Sequence, residues 1–177
     1  LIRDAQINNQ GTFQDITLYF SNTPAEPFQF TESNLPIVLL NSGANGISDY
    51  FKSEIQMQII DNGPGQMNYP EQQNFVYDGK IMAEYQGWSS TNSPKKNIDF
   101  NLGDAINPKL EASLGGLPAE NDWLFKAEFT DRTLMKNSLS YDTYRKMGRW
   151  APRTRFCELI IDGQYMGVYT LMEKVKR

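Results

Sequence analysis

Residues 87–96 read GWSSTNSPKK, a run of small polar side chains with one glycine that ends in two lysines. Backbone N–H groups, hydroxyls and ammonium groups are the parts of a phosphate cradle. Gly87 permits close backbone approach, and Ser89 and Ser90 offer N–H and hydroxyl donors. The same composition serves an ordinary solvated hairpin loop, so the stretch alone is weak evidence. The exclusions are firmer. The chain has no histidine, which removes Ser–His and Cys–His nucleophile activation and most zinc sites. Its single cysteine, Cys157, alternates with apolar residues in RFCELII and reads as a buried strand thiol, without an internal disulfide partner. The acidic residues offer no catalytic or metal-binding set. Asp162 sits in a turn, Asp122 precedes Trp123, and Asp131 reads as a helix cap.

The chain around these residues has 177 positions, 40 % hydrophobic and 12 % aromatic, enough for one core. No run approaches the roughly 18 apolar residues of a membrane span, and LIRDAQINNQ shows no signal-peptide pattern. The first residue is not methionine, which reads as a chain whose targeting segment, if any, was removed. The net charge of −4 argues against nucleic acid as a partner. It is unevenly spread: residues 1–131 carry 7 Lys/Arg against 17 Asp/Glu, and residues 132–177 carry 10 against 4. The basic third suits either an anionic ligand or a solvated helix face.

Periodicity supplies the elements. GTFQDITLYFSN reads as one or two strands and TPAEPFQFTESN as a linker. LPIVLLNS, SEIQMQIIDNGPG, VYDGKIMAEYQG and KKNIDFNLGD read as strands, the second closing on a turn at Asn62–Gly65. Residues 103–126 read as a connection with one short helix at most. FTDRTLMKNSLSYDTYRKMG reads as the one long helix, capped by Thr130 or Asp131 and stopped at Gly148. Its apolar stripe is Leu134, Met135, Leu139, Tyr141, Tyr144 and Met147. FCELII and YMGVYTLM form a hairpin around Asp162–Gly163. The expected fold class is α+β, an antiparallel sheet with one principal helix packed on a face.

A resemblance adds to this. NLPIVLLNS, GWSSTNSPKKNIDF and the C-terminal stretch from DWLFKA to LMEKVKR carry W-S-S, P-K-K, D-W, M-G, A-P-R-T, D-G-x-Y-x-G-x-Y and E-K in order. From about Leu35 to Arg177 the chain resembles the spore-coat protein H (CotH) kinase family. Members resemble atypical protein kinases that use ATP to phosphorylate serine on extracellular or coat proteins. The resemblance implies a kinase-like small lobe over 31–177, truncated at the hinge, with 1–30 a β-rich end of a preceding module or a linker. It implies export to a cell surface or coat, ATP and Mg as cofactors, an unidentified protein substrate, and an exposed lobe surface suited to homodimerisation.

On that resemblance the nucleotide-binding residues are Gly87, Ser89, Ser90, Lys95, Lys96, Met172 and Glu173, with Lys136 and Asn137 on the supporting helix. Alternation selects Lys96, on the face of Ile98, Phe100 and Leu102, over Lys95, which falls with Asn97, Asp99 and Asn101 toward solvent. Gln86 stands where the family usually has arginine, and Lys136 where it usually has the arginine of Arg-Asn. An amide has no charge and lysine lacks the guanidinium fork. The carboxylates that hold Mg²⁺ and orient the nucleophile are expected beyond the hinge, so no catalytic residue and no metal ligand is assigned and this fragment alone is expected to be inactive. The other reading is a non-catalytic kinase-like scaffold or binding module.

Overall fold

The computed structural model describes residues 29–87, 93–107 and 109–175. The barrel formed by these residues falls in the unit Thr31–Arg177, distinct from Leu1–Phe30. The described residues form seven strands: β1 Ile37–Asn41, β2 Ser53–Ile60, β3 Tyr77–Gln86, β4 Asn97–Leu102, β5 Asp122–Lys126, β6 Thr154–Ile161 and β7 Gln164–Glu173. Among the described residues one α-helix, α1 (Lys136–Lys146), lies between β5 and β6. The strands close into a barrel in the order β1-β2-β3-β4-β5-β7-β6.

Neighbours run antiparallel except at the closing seam, where β1 pairs in parallel with β6 (Ile37 with Glu158 to Leu40 with Ile161). The inward positions of each strand fill the interior: Val38, Met57, Ile81, Phe100, Phe125 and Leu159 are all 0 % exposed. Phe100 and Phe125 stack with centroids 4.6 Å apart. Such a barrel has no free sheet edge to protect. The β6–β7 turn is the expected Asp162–Gly163, both at positive φ (49° and 78°), as a type I′ turn requires. Asp162 also ties the turn to the end of β1, accepting from the Ser42 N–H at 2.8 Å and the Ser42 hydroxyl at 2.5 Å.

The expected α+β arrangement, with its likeness to a kinase small lobe, is therefore corrected to a closed β-barrel carrying one short helix. Two features hid it. The segment read as a connection contains β5, only five residues long, among glycines and prolines that blur its alternation. The β1–β6 seam joins segments about 120 residues apart, and no local pattern encodes such a pairing. The helix is shorter than its sequence pattern and starts at Lys136. Leu134 adopts φ 58°, which breaks the helix before it begins. No residue of α1 is buried, and Leu139 and Met147 of the expected stripe are 60 % and 70 % exposed. The core is the barrel interior, and the helix contributes nothing to it.

Among the described residues no helix is long and apolar enough to cross a membrane.

Candidate functional site

Strand alternation that sends Ile98, Phe100, Trp123, Phe125, Tyr169 and Leu171 inward sends their neighbours to the outer face of β4, β5 and β7. Register then aligns those neighbours in rows. Asp99 lies beside Leu124 and Leu124 beside Met172; Asn101 lies beside Asp122, and Lys126 beside Thr170. The result is an apolar strip, Leu124 (8 % exposed) and Met172 (4 %), with lysines at its two ends, Lys126 and Lys174.

Two adjoining cavities lie over this face. One, about 280 Å³, is lined by Gln86, Leu124, Lys126, Asn137, Tyr141, Met172, Lys174 and Val175. The other, about 210 Å³, is lined by residues that include Ser93, Lys95, Asn97, Lys126, Glu128, Thr130 and Asn137. Lys126 and Asn137 belong to both, so the two form one groove between the sheet and the start of α1.

Local structure fixes the rim. Asp131 accepts from the Lys136 N–H at 2.9 Å and from the Thr133 N–H and hydroxyl at 3.0 and 2.8 Å. These bonds hold the Asp131 carboxyl below its ordinary range, the Lys136 N–H bond contributing most; Asp131 thus anchors the helix start from outside it, while the N-cap position expected at Thr130 or Asp131 falls at Met135. Glu128, buried and at φ 49°, accepts from Asn137 Nδ2 on both oxygens at 2.8 and 2.9 Å. A left-handed glutamate is uncommon, and here it turns its carboxylate back to clamp the helix over the groove. At the floor's polar end, buried Asp99 pairs with Lys52 at 2.7 Å and with Lys174, and accepts from Gln86 at 3.3 Å.

The residues expected from sequence disperse. Gly87 is at φ 120°, a backbone conformation open mainly to glycine. Ser89 and Ser90 lie outside the described residues. Lys95, expected toward solvent, is half-buried. Its ammonium donates to the Val168 carbonyl and sits 4.3 Å from the centroid of the Tyr169 ring, and burial lowers its pKa. Lys96 turns the other way, to Asp49 at 3.0 and 3.2 Å and over the Tyr85 ring at 4.7 Å. Both lysines precede β4, which begins at Asn97, so the strand's alternation does not extend to them. Asn137 lines the groove, whereas the Lys136 side chain is 75 % exposed and 3.8 Å from Asp131.

Met172 and Glu173 lie within the β7 ladder, in register with Leu124 and Trp123 of β5. Met172 therefore offers the groove its side chain. The Glu173 carboxylate is taken by Arg153, through the backbone N–H at 2.8 Å and the guanidinium at 2.5 to 3.2 Å. Two landmark motifs, A-P-R-T and E-K, thus meet as one ion pair. Sequence reading missed Lys126, Glu128 and the Lys52–Asp99–Lys174 cluster. Only the β5 alternation in DWLFKA could have signalled Lys126, and that strand was read as a connection.

A larger cavity, about 690 Å³, lies at the opposite ends of β3 and β4, lined by Lys80, Gly103, Asp104, Ile106, Asn107, Lys109 and Leu110. Two of its charged groups are engaged locally. Lys80 pairs with Glu54, and Asp104 accepts from the Ile106 and Asn107 N–H groups at 2.9 and 2.6 Å.

The barrel thus carries a groove with an apolar floor and cationic ends, bounded by segments that all fall within residues 83–177. Those residues match the family model described as CotH kinase protein, and the chain belongs to the CotH kinase family. No curated protein matches it.

Proposed function

We propose that this chain is the nucleotide-binding part of a CotH-family phosphotransferase, which in the full-length protein transfers phosphate from ATP to serine. The observation that carries the reading is the groove itself: a Leu124–Met172 strip fit for a flat base, with lysine ammonium groups at its ends fit for phosphate oxygens. Family membership supports kinase-like chemistry. ATP fits the residues present: Leu124 and Met172 would hold the base, and Lys126 or Lys174 the phosphates. Among the described residues no three His, Cys, Asp or Glu converge on a metal site. Mg²⁺ is usually held by one or two carboxylates plus substrate phosphates, so it would arrive on the triphosphate. When bound, the metal supplies charge neutralisation on the phosphates; this chain's residues bind and orient them.

The test is incubation of the full-length protein with γ-labelled ATP, Mg²⁺ and serine-containing protein acceptors. Label appearing on serine supports the reading. ATP binding without transfer favours the non-catalytic scaffold, and absence of ATP binding overturns the proposal.

A further inference from the structure

Among the described residues, one lysine of the groove has neither an ion pair nor a side-chain hydrogen bond. Of the three lysines that line it, Lys95 is engaged by the Val168 carbonyl and the Tyr169 ring, and Lys174 by Asp99. Lys126, at the end of β5, lines both halves of the groove, and among the described residues its ammonium has no ion pair or side-chain hydrogen bond. The nearby carboxylate of Glu128 is held on both oxygens by Asn137. Directly across the ladder from Lys126, Thr170 is 1 % exposed and its hydroxyl has no partner among the described residues. That hydroxyl lines neither cavity, so the unpaired Lys126 ammonium is the group of the groove that gains from an anionic oxygen.

We infer that Lys126 is the polyphosphate-binding residue of the groove, in place of the Lys95–Lys96 pair that the sequence pattern suggests. This inference rests on the groove being a nucleotide site, and it fixes the ligand's direction: base over Leu124 and Met172, phosphates over Lys126 toward Asn137 and Ser93. Lys96 is already neutralised by Asp49 on a different face. Lys95 would have to leave the Val168 carbonyl and the Tyr169 ring to serve.

The test is equilibrium binding of ATP, inorganic tripolyphosphate and adenosine to the full chain and to Lys126→Ala, Lys126→Arg and Lys96→Ala. Lys126→Ala weakens ATP and tripolyphosphate about tenfold or more, the size of one charge-assisted contact, and leaves adenosine unchanged. Lys126→Arg retains most of the affinity, and Lys96→Ala binds as wild type. If Lys126→Ala does not fold, Lys126→Gln, which keeps the stem, carries the same expectation. ATP binding that survives loss of the Lys126 charge, or fails in Lys96→Ala instead, overturns this inference and spares the nucleotide reading. A wild-type chain that binds none of the three probes overturns both.

Discussion

Cys157 shows how one side chain can report on the barrel. It is 1 % exposed, and burial pushes its thiol pKa from about 9 up to about 12. The folded state therefore keeps a proton that the unfolded chain releases above about pH 9. The stability due to the neutral thiol is fully present below pH 9 and is lost as pH rises from about 9 toward about 12. Urea unfolding measured across that range should show declining stability, with a shallower decline in Cys157→Ala. The native thiol should also resist alkylation at pH 8 and react once the chain is unfolded. The Arg153–Glu173 pair makes a second prediction. Glu173→Ala removes charge-assisted bonds to a guanidinium and a backbone N–H, and should cost about 1–3 kcal/mol in urea unfolding. An unchanged midpoint would show the pair to be without net value. Burial of Cys157 was legible from its place in RFCELII. The ion pair was not, because Arg153 and Glu173 meet only when β6 and β7 are in register.

At the scale of elements, β4 and α1 exchange the importance that their sequences suggest. The helix pattern is the longest in the chain, yet it leaves Leu139, Tyr144 and Met147 half exposed or more. The short strands around it supply Phe100, Trp123 and Phe125, each 0 % exposed. Phe100→Ala should therefore cost about 3–5 kcal/mol, while Leu139→Ala should stay within about 0.5 kcal/mol. Denaturation of the two variants side by side checks this, and similar losses would restore a helix-packed core. Strand existence was legible wherever alternation ran for six or more residues, as in β2, β3 and β7. It failed for β5, whose five residues are buried on both faces at Leu124 and sit among turn-forming residues. That one miss concealed Lys126 as well, since the lysine's direction follows from the strand's.

For the molecule as a whole, closure depends on β1, which lies between β2 and β6. Leu39 pairs with Gln58 on one side and Ile160 on the other, so Leu39→Pro removes a donor inside a closed ladder and should abolish cooperative unfolding. Retained cooperativity in circular dichroism melts would mean that the barrel tolerates an open seam. Topology was the least legible level: the strands can be read locally, but the parallel seam that turns a sheet into a barrel is non-local.

A nucleotide groove on the outer face of β4, β5 and β7 can be followed through backbone amide shifts by NMR while Mg–ATP is added. Shifts are expected at Lys95–Ile98, Leu124–Glu128, Asn137 and Met172–Lys174, with Lys80, Gly103–Asn107, Lys109 and Leu110 unmoved. Shifts confined to Lys80, Gly103–Asn107, Lys109 and Leu110, or none at all, would contradict a nucleotide site in the groove.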